Sequence, residues 1–211
     1  MSSKKSNFVS DNKVFILGGF YAEETNEMIG DLTDMVMNLP LETKYMQSAT
    51  LASPYDTYGL KNPIIDVLIN SNGGETSILK SISTLLSIAK NRGAIIRTTV
   101  LGKAHSCGSM LAIQGTPGFR IMYEYAQHLI HFGSIGLTAQ KEDEIEAIKK
   151  RMKTFSDTAK KIYTVNTNLT EKNVQNLMRI EHNLKDANWC LQHNLCDWII
   201  DSNGNFRGRS R

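Results

Sequence analysis

Two apolar runs rich in β-branched residues, 64–70 (IIDVLIN) and 94–102 (AIIRTTVLG), each stop at small residues and hand over to a helical pattern. Such runs suit strands buried in a sheet. The first ends in Asn70-Ser71-Asn72-Gly73-Gly74, after which Ile78, Ile82, Leu85, Leu86 and Ala89 mark one face of a helix over 76–91. The second ends in Lys103-Ala104-His105-Ser106-Cys107-Gly108, followed by a short apolar helix over 107–114. Upstream, 13–18 (KVFILG) reads as a strand, and Met28, Ile29, Leu32, Met35 and Val36 define a helix over 23–38. Short strands are expected near 119–123 and 127–131. Strand–helix alternation of this kind predicts an α/β fold with a largely parallel sheet and right-handed crossovers.

The rest of the chain sets bounds. Its 211 residues, 41% apolar and 21% charged, are enough for one folded domain, here 13–200. A net charge of +3 does not by itself direct the chain to nucleic acid or an anionic membrane, and neither is expected as a partner. No run of 18 apolar residues is present to span a bilayer. Residues 1–12 read as a flexible polar arm without a secretory signal, and 201–211, with three Arg, as a flexible basic tail. Three cysteines, Cys107, Cys190 and Cys196, are an odd number without metal-ligand spacing, which predicts reduced thiols and a cytoplasmic setting. The polar stretch 44–62 reads as a long loop or insertion.

The clearest helix is 138–163, with Thr138 able to cap it. Ile145, Ile148, Met152, Phe155, Ala159 and Ile162 recur at spacings of 3 and 4, a single apolar seam on a charged rod. At 1.5 Å per residue the rod is roughly 40 Å long, more than a domain of this size needs for its own core, so a packing surface for another subunit is expected. Helices over 170–179 and 186–194 and a strand over 196–200 complete the chain.

Three features carry possible chemistry. Ser106 stands where a strand gives way to a helix, close to backbone N–H groups that favour negative charge; an ordinary helix cap is the plainer role. Gly73-Gly74 permits close approach of a substrate backbone at a second strand exit, though a simple turn would also use it. His131 lies at the end of a third strand, where a buried structural histidine is the commoner case. His105, His128, His182 and His193 are less well placed, and His128 with His131 would point to opposite faces of a strand, a poor metal pair. No metal or other cofactor is expected. Together the three features would converge at the carboxyl edge of a parallel sheet, where open α/β folds place their sites.

At this point the chain resembles the ClpP family of serine peptidases. The matching pieces are Ile69-Asn70-Ser71-Asn72-Gly73-Gly74, then 102–109 (GKAHSCGS), then 115–120, then Leu129-Ile130-His131, and finally Asn194-Leu195-Cys196-Asp197, which is similar to the family's Gly-Leu-x-Asp. The interval of 25 residues from Ser106 to His131 matches the family's spacing, and the likeness spans about 13–200. The resemblance implies a ClpP/crotonase-like fold of repeated β-β-α units with a protruding handle helix over 138–163. It implies Ser106 as nucleophile, His131 as general base, the N–H groups of Gly74 and Cys107 as oxyanion hole, and the main chain around Gly73 and Gly74 as a peptide-binding edge. The third triad member falls on Glu181, 50 residues after His131, with Asn183 and Asp186 as alternatives; alignment back from Asp197 brings His182 there instead. The resemblance further implies homo-oligomeric stacked rings, heptameric in the family, unfolded polypeptide substrates and an AAA+ unfoldase partner. Departures are Cys107 where the family has Met, Asn72 where it has Pro, and the short arm ahead of Lys13. A catalytically inactive ring subunit and a crotonase-type acyl-CoA enzyme are the alternative readings.

Overall fold

The computed structural model describes residues 7–39, 53–55, 62–132 and 142–208. Most of the 44–62 loop and the proposed Thr138 cap lie outside the described residues. Nine strands among the described residues form one sheet. The central strands are β2 (Lys13–Ile16), β3 (Ile64–Ser71), β4 (Ile95–His105), β5 (Arg120–Tyr123) and β8 (Trp198–Ile200), each parallel to the next. Parallel pairing needs a crossover between neighbours. Between β2 and β3 the chain forms α1 (Ala22–Met37), and between β3 and β4 it forms α2 (Thr76–Asn91). The α/β expectation holds.

Four differences from the sequence reading have local causes. Asn7–Ser10, assigned to the arm, is strand β1, antiparallel to β2. Phe8 stacks on Phe15 with ring centroids 4.4 Å apart, and the buried Asn7 amide bonds Gly18 N–H and Gly19 O. Phe206–Gly208, assigned to the flexible tail, is strand β9, antiparallel to β8, its turn held by Asp201, which accepts from the N–H groups of Asn203 and Asn205. β4 runs on through Lys103-Ala104-His105, because β6 (Gln127–Leu129) pairs with that end. Leu184–Lys185, not anticipated, forms β7 against β6. Strands β1, β7 and β9 have two to four residues, too few for an alternation pattern to show.

One core joins the layers. Ile65, Val67 and Ile69 of β3, Met28, Leu32 and Val36 of α1, and Leu79, Ile82 and Leu86 of α2 are buried in one cluster. α3 (Cys107–Ala112) is buried along its whole length. The long helix is α4 (Glu142–Asn166), 25 residues. Its first half carries Ile145 and Met152 exposed, whereas Ala159 and Tyr163 are buried in the second half, which packs on α3 and on α5 (Glu171–Met178). The apolar seam read from the sequence is therefore half covered. α6 (Ala187–Gln192) is capped by Asp186, which accepts from Trp189 N–H at 2.8 Å.

Candidate active site

The two glycine-and-serine junctions meet because Gly73 has no side chain. A Cβ on Gly73 would lie 2.7 Å from both the Ser106 Cβ and the His105 carbonyl oxygen. Ser71 shapes this turn, donating from its Oγ to Gly18 O at 2.6 Å and accepting from Gly73 N–H at 3.1 Å. Gly73 also has φ +91°, a region L-residues avoid. Gly73→Ala is expected to lower unfolding free energy by about 2 kcal/mol or more, read as a lower urea midpoint.

Gly74 is held as a strand. Phe20 N–H donates to Gly73 O at 2.9 Å and Glu75 N–H to Phe20 O at 2.7 Å. Those bonds use the groups on either side of Gly74, and alternate amides of a strand face opposite edges, so the Gly74 N–H is turned away from Phe20. Phe20 had no local signal in the sequence; its part depends on a contact with residues more than fifty positions away.

Ser106 has φ 52° and ψ −118° and makes no side-chain capping hydrogen bond, which removes the plain helix-cap role. A non-glycine residue at positive φ is uncommon and persists only when its surroundings fix it. Here the Ser106 N–H donates to Leu129 O of β6 at 2.9 Å. The following residue, Cys107, is fully buried, and its Sγ donates to Gly74 O at 3.1 Å. Burial pushes the thiol up to about 11, so it stays protonated and offers no thiolate to compete with the Ser106 hydroxyl.

His131 follows β6 and is half-buried. The next N–H, of Phe132, donates to Met178 O at 3.0 Å, which ties this segment to the end of α5. Ser106 and His131 line one narrow cleft, with Met110, Ile130, Phe155 and Met178 as apolar walls and α4 at its side through Ala159 and Tyr163. No Ser106–His131 hydrogen bond occurs among the described residues. Burial holds His131 below its ordinary pKa; Glu181 opposes that shift and His182 adds to it. His105 is lowered likewise, by burial first and then by Lys103 and His131.

Of the candidates for the third position, Glu181 acts electrostatically on His131 from an exposed turn after α5. Asp186 is engaged as the α6 cap, and Asn183 lies half-buried just before β7. Among the described residues no group of three His, Cys, Asp or Glu is placed to hold a metal ion, and no helix is long and apolar enough to cross a membrane. His128, set aside in the sequence, is fully buried, with its Nδ1 2.7 Å from Ser109 Oγ.

A strand-exit serine beside a glycine turn and a histidine is an arrangement suited to acyl transfer. Comparison with known proteins places it in a family. The Clp protease family model matches residues 59–203, well over half of the chain, and the chain belongs to that family. It is 30% identical over 141 residues to the ATP-dependent Clp protease proteolytic subunit of Streptococcus mutans, covering 66% of this chain and 69% of that one. The corresponding subunit of Streptococcus uberis is 28% identical with the same coverage, and that of Deinococcus radiodurans is 28% identical over 144 residues, 68% of each chain.

Proposed function

We propose that this chain is a serine endopeptidase of the ClpP type, with Ser106 as nucleophile, His131 as general base and Glu181 orienting His131. The observation that carries the reading is that Ser106 and His131 line one cleft while Gly73 packs directly against Ser106. Ser106 Oγ attacks the peptide carbonyl as His131 takes its proton. The Gly74 and Cys107 N–H groups receive the oxyanion, His131 returns the proton to the leaving amine, and water then releases the acyl group. The geometric step this requires is closure of the Ser106–His131 hydrogen bond. In this proposal α4 is the handle that joins stacked rings of the same chain, its exposed Ile145 and Met152 meeting another copy. Unfolded polypeptide, delivered by an AAA+ unfoldase in the cytoplasm, is the substrate. A fluorophosphonate probe tests the reading: labelling that maps to Ser106 supports it, and an unlabelled assembled protein overturns it.

The same assignment predicts a pH profile. His131 accepts a proton only when neutral, so kcat/KM rises with pH through an acid limb. Burial places that limb below pH 6.5. Glu181 raises the His131 pKa, so Glu181→Gln is expected to move the limb to lower pH. An unmoved limb would separate Glu181 from His131. Assembly of the wild-type chain without any peptide hydrolysis would instead favour the second reading, an inactive ring subunit, toward which the exposure of Glu181 points.

A further inference from the structure

Behind the cleft lies a polar chain that the proposed mechanism does not use. Tyr163 of α4, Ser109 of α3 and His128 of β6 are all buried, at 1%, 0% and 0% exposure. The Tyr163 hydroxyl donates to Ser109 Oγ at 2.6 Å, and Ser109 Oγ lies 2.7 Å from His128 Nδ1. With the tyrosine donating to it, Ser109 passes its own proton toward Nδ1, which makes His128 the acceptor and leaves its proton on Nε2. That Nε2 is buried with no partner among the described residues. Burial pushes the His128 pKa down to about 3, so the imidazole is neutral at working pH.

This network does not serve stability well. A buried polar chain with one end unsatisfied is inferior to an apolar filling of the same volume. Its position suggests what it does instead. α3 has six residues, too few to hold its own conformation, and Ser106 stands at its start in a strained backbone geometry. Adjacent residues of β6 reach α3 at two points: Leu129 O takes the Ser106 N–H, and the His128 ring takes the Ser109 hydroxyl. Tyr163 closes the third side from α4 while its ring lines the cleft beside Ser106.

We propose that Tyr163 and Ser109 are positioning residues for Ser106: their hydrogen bonds clamp α3 between α4 and β6 and so fix the direction of the nucleophile. The proposal rests on the peptidase reading for its catalytic consequence, and on geometry alone for the clamp. Neither residue touches the reacting atoms.

The test uses the full chain with Tyr163→Phe, Ser109→Ala, the pair combined, and Ser109→Thr, which keeps the hydroxyl. Fluorophosphonate labelling of Ser106 and kcat for a peptide are expected to fall about ten-fold in each single variant, with KM changed less than two-fold. The double variant should fall no further than the singles, since both break one chain, and Ser109→Thr should recover most of the rate. Ser109→Ala strands two buried polar groups and should lower the melting temperature modestly, whereas Tyr163→Phe should leave it nearly unchanged, so a rate loss common to both is not a stability effect. Wild-type rates in Tyr163→Phe and Ser109→Ala would overturn the proposal, as would losses that follow a falling melting temperature with KM rising alongside. If the wild-type chain itself is not labelled, the peptidase reading fails and amide hydrogen exchange decides the clamp. Exchange over 107–110 about ten-fold faster in Ser109→Ala supports the clamp, and unchanged exchange overturns it.

Discussion

Ser106→Ala is expected to lower peptide hydrolysis at least about a thousandfold while leaving the fold intact. The activity loss is large because the acyl-enzyme route needs an oxygen nucleophile at this position, and nothing beside it can substitute. Cys107 is adjacent in sequence, but it is fully buried and its thiol is bonded to the Gly74 carbonyl. The fold survives because the Ser106 side chain makes no capping hydrogen bond, and the strained backbone is held by its N–H bond to Leu129 O, which alanine keeps. A chain that loses its activity without a change in urea midpoint meets this expectation. Undiminished hydrolysis by Ser106→Ala would remove Ser106 from the mechanism.

The largest stability effect is expected at the opposite end of β5. Arg120 is almost fully buried and spends its guanidinium on four contacts: both carboxylate oxygens of Asp197, at 2.9 and 2.6 Å, and the carbonyls of Asn166 and Asn194, at 2.6 and 2.8 Å. Asp197 in turn accepts from the N–H of Gly118 and Arg120. The network joins β5, the end of α4 and the turn before β8. Removing one partner leaves a charge buried and uncompensated, so Asp197→Ala is expected to destabilise by about 3–5 kcal/mol. Replacing both at once, Arg120→Met with Asp197→Leu, removes the stranded charge and should be clearly milder. Chemical denaturation of the three variants reads the difference; a double variant as damaged as Asp197→Ala would place the effect in packing instead of charge.

The same network shows what a sequence can carry. Asn194-Leu195-Cys196-Asp197 was recognisable as a motif, and the structure gives Asn194 φ 66°, a conformation that glycine or asparagine tolerates best. The elements that could be read were those with a long repeating pattern: the seam of α4, the apolar faces of α1 and α2, and the runs of β3 and β4. The short strands β1, β7 and β9 exist through partners distant in the chain, and no local pattern encodes a partner. At the site, Ser106, His131 and Gly73-Gly74 were legible because each sits at a strand exit marked by small residues. The Tyr163–Ser109–His128 chain was not, since its members come from three elements and look ordinary in isolation. Glu181 stood out only by its distance from His131; what relates the two is the turn after α5 and the Phe132–Met178 bond.

One consequence concerns the thiol beside the nucleophile. Burial raises the Cys107 pKa to about 11, which keeps it a thiol at pH 7. In the closed fold it is also out of reach of alkylating reagents, sealed by the Gly74 carbonyl. Iodoacetamide can therefore reach it only in molecules whose seam between Gly73 and Cys107 has parted. The alkylation rate of this one sulfur is a chemical gauge of how often the junction breathes, and it reads that motion whether or not the serine beside it ever turns over a substrate.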